Sequence, residues 1–432
     1  MVFSPRKHIK IKKIDALIVI ILLVIAGFVL IQAGYITPTI EQALPPILDQ
    51  EEPPEEEERA PPPDPLPPES IIPGYMRAVG PEDEGLHYDK FSVCREWWYY
   101  TAIFDETSEL AGWVLSVSFN HMARSDLLGT SKPDMLVVTL HGPDGEEYGG
   151  IINKERGLGI IQQPTLQAKT PGVSVTFEDS WAEGEAPEWF IHVEDNEIDT
   201  RHELIIDLRY FAPHDPMWTI GENAFDKTRR NLASYTYQNC NVTGTVEIDG
   251  KVHEVHGVGH HEHTWSPSLV TKGLINGWDW AHITLSNGWT IYYSTYYPTP
   301  QYITTKTKNF NPYGTIIVTT DEGESITSFS DINPEITEVD DEIFTFVNMP
   351  LEILINANPG IVQPLLSTYG ISLNIEISVD QTYEQVWKFP TYVGMNVGRT
   401  IVTGTLSWSD DDGDHEISLE GIGTLWSMRA FL

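Results

Sequence analysis

The sequence is poor in cysteine and in basic residues. Cys94 and Cys240 are the only cysteines among 432 residues, and no CxxC or Cys-rich zinc pattern occurs. Outside the cytoplasm the two could form one disulfide or remain buried thiols, and the sequence leaves both open. Lysine and arginine number 26 against 63 aspartates and glutamates, which gives a formal net charge of −37. Because phosphate binding needs clustered Lys and Arg, no nucleic acid is expected as a partner.

Long apolar runs are also scarce, and the one present lies near the N-terminus. Residues 14–36 are almost wholly apolar and follow a basic cluster in residues 1–13. The run has the length of a membrane span, whereas a cleaved signal peptide would have a shorter apolar core and a small-residue cleavage site. We therefore predict an uncleaved transmembrane anchor. By the positive-inside rule, the chain is a single-pass protein of the cell membrane with a cytoplasmic N-terminus and extracytoplasmic folded domains.

Residues 37–73 separate this anchor from the rest of the chain. They contain twelve of the thirty prolines and ten acidic residues. A Pro-rich segment of like charges is extended and cannot bury a core of its own. The segment is predicted to be a disordered Pro/Glu-rich stalk.

The rest of the chain reads as one strand after another. Alternating apolar residues occur, for example, at 113–119, 203–210 and 289–297, and turn signals such as GPDGEE and SDDDGDH separate such runs. The pattern predicts an all-β protein whose strands form barrels or sandwiches. Its length favours two domains, at 74–270 and 271–432, with the boundary in the polar bridge SPSLVTKGLING.

The stretch REWWYY at residues 95–100 would be aromatic on both faces of a strand. Glu96, Trp98 and Tyr100 would project to one side, and the residues between them to the other. The strand is either buried core, with its Arg and Glu paired to nearby groups, or it lines a cavity on one side. An aromatic cavity suits an extended apolar or polyene ligand. We predict that Glu96, Trp98 and Tyr100 face such a cavity.

Five histidines fall in the run KVHEVHGVGHHEHTWSP, between His253 and His263. On a strand, His261 and His263 would share one face, while His260 and Glu262 would share the other. A His-x-His pair is a frequent beginning of a zinc or iron site, whose third ligand comes from elsewhere. Neither HExxH nor a following cupin-like Glu is present, so no metal is predicted and a site at His261 and His263 is kept as the alternative.

The stretch GWDW places Asp279 between Trp278 and Trp280. A carboxyl desolvated by flanking indoles would have a raised pKa and could act as a general acid. The alternative is a structural Asp279 that accepts hydrogen bonds at the junction of the two domains.

Together, REWWYY at 95–100, EHTW at 262–265, GWDW at 277–280 and the Asn-Gly turn before WTIYY resemble the carotenoid 1,2-hydratase-like family, also called AttH-like. The resemblance implies two tandem lipocalin-like β-barrel domains. It also implies hydration of a terminal isoprenoid double bond without a cofactor, or cyclisation of a polyene as in related fungal proteins. By motif position, Glu262 stands for the acidic residue of the family, which is usually Asp, and His263 and Trp265 for its His and Trp.

The sequence and the resemblance give one predicted site. A protonated carboxyl would protonate the alkene, aromatic rings would stabilise the cation, and His263 would orient the attacking water. The predicted partner is a hydrophobic small molecule or lipid, and the alternatives are a lipid-binding module without catalysis and a metal-dependent enzyme. The catalytic candidates are Glu262, His263 and Asp279, and the ligand-binding candidates are Glu96, Trp98, Tyr100, Trp265, Trp278, Trp280 and Tyr292.

Overall fold

A computed structural model describes residues 79–88, 94–121, 134–154, 165–194, 199, 201–220, 233–267, 275–298, 314–323, 326–329, 331–340, 349–359, 369–387 and 392–431. The predicted cytoplasmic segment, anchor and stalk lie outside these residues. Among the described residues, no helix is both long enough and apolar enough to cross a membrane.

Nearly all of the described residues are in antiparallel β-strands, which confirms the all-β prediction. The elements are α1 (Pro81–Glu84), β1 (Cys94–Phe104), β2 (Val114–His121), β3 (Asp134–His141), β4 (Glu147–Lys154), β5 (Leu166–Ala168), β6 (Val173–Phe177), β7 (Ser180–Glu185), β8 (Glu188–Glu194), β9 (Leu204–Phe211), β10 (Met217–Ile220), β11 (Ala233–Ile248), β12 (Lys251–Pro267), β13 (Ile275–Leu285), β14 (Thr290–Pro298), β15 (Thr315–Thr319), β16 (Ile326–Phe329), β17 (Asp331–Asp340), β18 (Met349–Asn358), β19 (Ser372–Trp387), β20 (Tyr392–Asp410) and β21 (Gly413–Phe431).

The strands form two sheets. The first has the order β4-β3-β2-β1-β12-β11-β9-β8-β7-β6-β5, and β10 pairs with β11. The second has the order β16-β15-β14-β13-β21-β20-β19-β18-β17. In chain order, the first strand of each sheet pairs with the last, β1 with β12 and β13 with β21. Each sheet surrounds a hydrophobic core of its own. The division into two domains at residue 270 stays a prediction.

A third hydrophobic cluster lies between the two sheets. The first sheet contributes Tyr99 and Val137 among others, and the second contributes Trp280, Tyr292 and Trp426. The described residues of both sheets belong to one compact unit. A strand such as β1 is therefore covered by protein on both faces, which is why both of its faces can be aromatic.

The short segment of residues 80–88, here called the N-terminal segment, contains α1 and packs onto the first sheet. The N–H of Gly80 donates to Asp83 Oδ2 at 3.1 Å, which caps the single turn. The N–H of Gly172 donates to the Pro81 carbonyl at 2.8 Å, and the indole of Trp98 donates to the Glu84 carbonyl at 2.9 Å. A helix of four residues is not stable alone, so these contacts determine its place.

The backbone of β11 provides a test of this fold at Gly244. Its φ of +152° is accessible to glycine, and a Cβ there would collide with the backbone carbonyl oxygen of Asp207 on β9. We expect Gly244→Ala to lower the free energy of unfolding of the full-length chain by about 3 kcal/mol, measured by urea denaturation.

The matched control is Gly250→Ala in the turn between β11 and β12. Gly250 also has a positive φ, +78°, but a Cβ there would meet nothing within 4 Å. This substitution should cost about 1 kcal/mol. Equal losses in the two variants would contradict the β9–β11 register.

Candidate functional site

The densest set of polar side chains lies on the inner face of the first sheet, where β1 and β12 pair. Glu96 lies opposite Trp265, Trp98 opposite His263, and Tyr100 opposite His261. Directly opposed residues of antiparallel strands share a face, so all six project inward. This inner site is completed by β8, β9, β11 and the N-terminal segment, which add Trp189, Tyr210, Tyr235, Tyr237, Glu84 and His87.

Glu96 is the centre of the inner site and is fully buried. Its Oε1 lies 2.8 Å from Nε2 of His263 and 3.0 Å from Nδ1 of His87. The backbone N–H groups of His87 and Tyr88 donate to its Oε2 at 2.9 and 2.6 Å. Burial raises the pKa of the Glu96 carboxyl above its usual range, and the hydrogen bonds from His87 and Tyr88 oppose this rise.

The hydrogen bonds of His263 determine where its protons are. Its Nδ1 lies 2.9 Å from the backbone carbonyl oxygen of Asp83, which can only accept, so Nδ1 carries a proton. In the neutral ring the other nitrogen, Nε2, then presents a lone pair to Oε1 of Glu96. The lone pairs of Nε2 and Oε1, 2.8 Å apart, repel unless a proton or another cation lies between the two atoms. His263 and Glu96 therefore share a proton when no other cation is bound.

Stacked rings fix the orientation of these groups. The ring of His87 lies parallel to Trp265, with centroids 3.8 Å apart and planes 4° apart. Trp98 stacks on His263 at 4.7 Å. His87 and His263 are consequently held both by ring stacking and by the hydrogen bonds of their ring nitrogens.

Glu84 is a second buried carboxyl of the inner site. The phenol of Tyr237 donates to its Oε1 at 3.0 Å, and the N–H of Ala186 donates at 3.2 and 3.1 Å to its two oxygens. Burial raises the pKa of Glu84 to about 7, against the opposing effect of these hydrogen bonds. Glu84 therefore retains a proton up to near-neutral pH, as a general acid requires.

Three buried polar atoms of neighbouring rings in the inner site lack hydrogen-bond partners within the described part of the chain. They are the hydroxyls of Tyr100 and Tyr210 and Nε2 of His261. The ring of Tyr100 lies 5.4 Å from that of Tyr210 and 4.3 Å from that of His261, measured between centroids. Unpaired buried polar atoms each cost about 1–3 kcal/mol, so bound water or another bound molecule is expected to satisfy them.

Glu262 lies on the other face of β12, between the sheets. Its Oε1 accepts from the Trp97 indole at 3.3 Å and from the Thr264 hydroxyl at 3.0 Å. Its Oε2 accepts from the Trp280 indole at 2.7 Å and lies 3.2 Å from Nε2 of His282. Adjacent strand residues project to opposite faces, so Glu262 and His263 do not act on one side. The predicted catalytic set is therefore not brought together.

Asp279 does not have the surroundings that were predicted for it. Trp278 and Trp280 project from the opposite face of β13, towards the first sheet. The Asp279 carboxylate instead forms a bidentate ion pair with Arg429, with N–O distances of 2.8 and 3.0 Å. It also accepts a hydrogen bond from the Tyr297 hydroxyl. These contacts are those of the structural alternative, and a catalytic role for Asp279 stays a prediction.

The remaining predicted residues divide between these two places. Trp265, Trp98 and Tyr100 lie at the inner site with Glu96, whereas Trp278, Trp280 and Tyr292 lie between the sheets around Glu262. Cys240 is a buried free thiol. His261 has its Nδ1 3.3 Å from the Tyr99 carbonyl, and in the described residues the potential metal-binding group contains His87, Glu96 and His263, not His261.

Glu84 and His87 are not among the site residues predicted from the sequence. They belong to PEDEGLHY, which has no strand period and follows an acidic segment, so its acids resembled solvated turn residues. The available signal was a Pro-led acidic turn followed by Gly85 and a histidine, placed shortly before the most aromatic strand.

Comparison with solved structures identifies the fold. A crystal structure from Nitrosomonas europaea, named as an AttH candidate, matches 84% of this chain and 98% of its own at 15% identity, with a TM-score of 0.51. CghA matches 84% of this chain and 94% of its own at 11% identity, with a TM-score of 0.54. No family model and no curated protein matches the sequence. At these identities the matches show the fold alone, a lipocalin-like all-β fold.

The Asp279–Arg429 pair predicts a clear effect on stability. Asp279→Asn removes the charge and leaves the nearly buried guanidinium of Arg429 uncompensated. We expect a loss of about 3 kcal/mol in the free energy of unfolding, measured by urea denaturation. The control is Glu188→Gln, which breaks an exposed pair with Arg209 and should cost less than about 1 kcal/mol. Similar losses in both variants would mean that the Asp279 pair is not buried in solution.

The raised pKa of Glu84 predicts a pH dependence of stability. Because the folded state keeps this proton up to about pH 7 while the unfolded state releases it near 4.5, stability falls as pH rises through this window. Glu84→Gln should remove up to about 3 kcal/mol of that fall between pH 4.5 and 7.5. The measurement is the unfolding free energy of both proteins across this range. Parallel curves would contradict the protonated, buried state of Glu84.

Proposed function

We propose that this chain, which has the lipocalin-like fold of the AttH-like structures, binds a hydrophobic small molecule in the inner site and acts on it by acid catalysis. The reaction class is a hydration or cyclisation that needs no cofactor. The observation that carries the proposal is Glu84, a buried carboxyl with a pKa of about 7 among aromatic rings. A non-catalytic lipid-binding module is the second candidate.

The surroundings of Glu84 specify the class of ligand. The rings of Trp98, Trp189 and Tyr235 lie around Glu84 in the hydrophobic core of the first sheet, so a molecule bound there would be mostly apolar. The unpartnered hydroxyls of Tyr100 and Tyr210 favour a ligand that also carries an oxygen atom. An isoprenoid or lipid with a hydroxyl or carbonyl group meets both conditions.

The acid step uses the proton of Glu84. The carboxyl transfers this proton to one carbon of a ligand double bond, and the π electrons form the new C–H bond. The positive charge then lies on the neighbouring carbon, where the electron-rich faces of the indole and phenol rings stabilise it. Attack by water and return of a proton to the Glu84 carboxylate complete a hydration. Attack by a second double bond, followed by proton loss, completes a cyclisation.

His263 has a different role from the predicted one in this scheme. Its nitrogens lie against the Asp83 carbonyl and the Glu96 carboxylate, so it does not orient water. It is a positioning residue, which holds the N-terminal segment and thereby Glu84. Glu262 joins the two sheets and takes no part in the acid step.

The predicted anchor at 14–36 and the stalk at 37–73 belong to the same proposal. They would hold two lipocalin-like barrels on the outer side of the cell membrane, where the inner site could take up a molecule that partitions into lipid. The N-terminal segment begins at residue 80, seven residues after the end of the stalk, so the tether and the acid residue are close in sequence.

The proposal predicts that Glu84 is needed for turnover but not for binding. The full-length chain is purified in detergent, the bound molecule is identified by native mass spectrometry, and it is incubated with wild type and Glu84→Gln. We expect both proteins to bind it and the variant to convert it at least about 100-fold more slowly, as loss of a general acid requires.

The matched control is Glu384→Gln. Glu384 is a half-buried carboxyl of the second sheet, and burial also raises its pKa to about 7. The Glu384→Gln variant should convert the ligand at the wild-type rate. Equal turnover by wild type and Glu84→Gln would exclude Glu84 as the acid. If wild type does not convert the bound ligand, the non-catalytic lipid-binding module is the remaining candidate.

A further inference from the structure

We propose that His87, Glu96 and His263 form a binding site for one divalent transition-metal ion of the Zn²⁺ type. The site goes beyond the proposed function, which needs no metal. The Glu96 Oε1, His263 Nε2 and His87 Nδ1 atoms all lie within 4.8 Å of one another, and all three side chains are buried. They come from β1, β12 and the N-terminal segment.

The three ligand atoms lie close enough together to bind a single ion after the side chains move apart slightly. Zinc binds imidazole nitrogen at about 2.0–2.1 Å and carboxylate oxygen at about 2.0–2.2 Å, so neighbouring ligand atoms of a tetrahedral site lie roughly 3.3–3.5 Å apart. Oε1 of Glu96 is 2.8 Å from Nε2 of His263 and 3.0 Å from Nδ1 of His87. Both contacts are at hydrogen-bond distance, so binding of an ion requires the nitrogens to move away from Oε1 by roughly 0.3–0.6 Å.

The groups around the three ligands are those that metal-binding side chains use. A ligating histidine usually donates its other ring N–H to a carbonyl or carboxylate, which directs its lone pair to the metal. His263 does so, since Nδ1 lies 2.9 Å from the Asp83 carbonyl. Glu96 is oriented by the backbone N–H groups of His87 and Tyr88, and the ring of His87 is held against Trp265.

The charge in the cluster favours a cation. Without an ion, the lone pair of His263 Nε2 and the Glu96 carboxylate must share a proton in a fully buried place. A divalent ion satisfies both lone pairs and that of His87 Nδ1 at once. Two nitrogen ligands with one carboxylate suit zinc and its neighbours in the first transition row rather than calcium or magnesium.

The direct test is metal binding by the full-length chain in detergent, after removal of metal with a chelator. Zn²⁺ is titrated by calorimetry, and Co²⁺ is used as a spectroscopic probe of the same site. We expect one equivalent of Zn²⁺ per chain, a rise in the melting temperature, and visible Co²⁺ absorption bands typical of nitrogen and oxygen ligands. His87→Gln, which lies outside both sheets, should weaken Zn²⁺ binding at least about 100-fold and abolish the bands.

The control is His192→Gln. His192 is partly exposed and lies beside Asp207 and Glu194, so it is a surface group that could take up metal adventitiously. This variant should bind like wild type. Glu96→Gln is a second variant of the site, and circular dichroism checks that each protein is folded.

Two results would overturn the proposal. Folded wild type that binds neither Zn²⁺ nor Co²⁺ would mean that the cluster holds a shared proton only. Unchanged stoichiometry and Co²⁺ bands in His87→Gln would place the ion elsewhere. Neither result affects the test of Glu84, because that test measures conversion of the hydrophobic ligand.

Discussion

The rest of the inner site depends on the contacts of the Glu96 carboxylate, which join three parts of the chain. Glu96 lies on β1, accepts two backbone N–H groups from the N-terminal segment, and contacts His263 of β12. The single helical turn of that segment is too short to hold itself. These contacts, with the indole of Trp98 on the Glu84 carbonyl, therefore determine where the Glu84 side chain lies. Its raised pKa is a consequence of that placement, because burial is the main cause.

The alternation of strand residues separates two buried carboxylates of different kinds. On β12, His261, His263 and Trp265 project to the inner site, while Glu262 projects to the space between the sheets. Glu96 is surrounded by imidazoles and backbone N–H groups and can share or exchange a proton. Glu262 accepts an indole N–H from each sheet, Trp97 and Trp280, so it stabilises the packing of one sheet on the other. The same short motif thus contributes to the inner site on one face and to the contact between the sheets on the other.

Local patterns in the sequence were enough to predict the strands and the faces within them. The two-residue period of a strand correctly predicts that Glu96, Trp98 and Tyr100 share one face, and that His261 and His263 share one face. Which face a residue occupies depends only on its position along its own strand. The surroundings of Asp279 could not be predicted in this way, since its partner Arg429 is 150 residues away. Glu84 and His87 lie in a segment without periodicity and acquire their burial from strands far along the chain. The anchor, the stalk and the two-domain boundary stay predictions.

The most direct measurement is the titration of Glu84 itself, by infrared difference spectroscopy of the full-length chain with Glu84→Gln as the subtraction reference. We expect a protonated carboxyl band that disappears with a midpoint near pH 7. In Glu96→Gln, the N-terminal segment loses the carboxylate that accepts its backbone N–H groups. The midpoint of the Glu84 titration should then move towards the ordinary value of about 4.5. A wild-type midpoint already near 4.5, or one near 7 that Glu96→Gln leaves unchanged, would contradict the claim that Glu96 places Glu84 in the inner site.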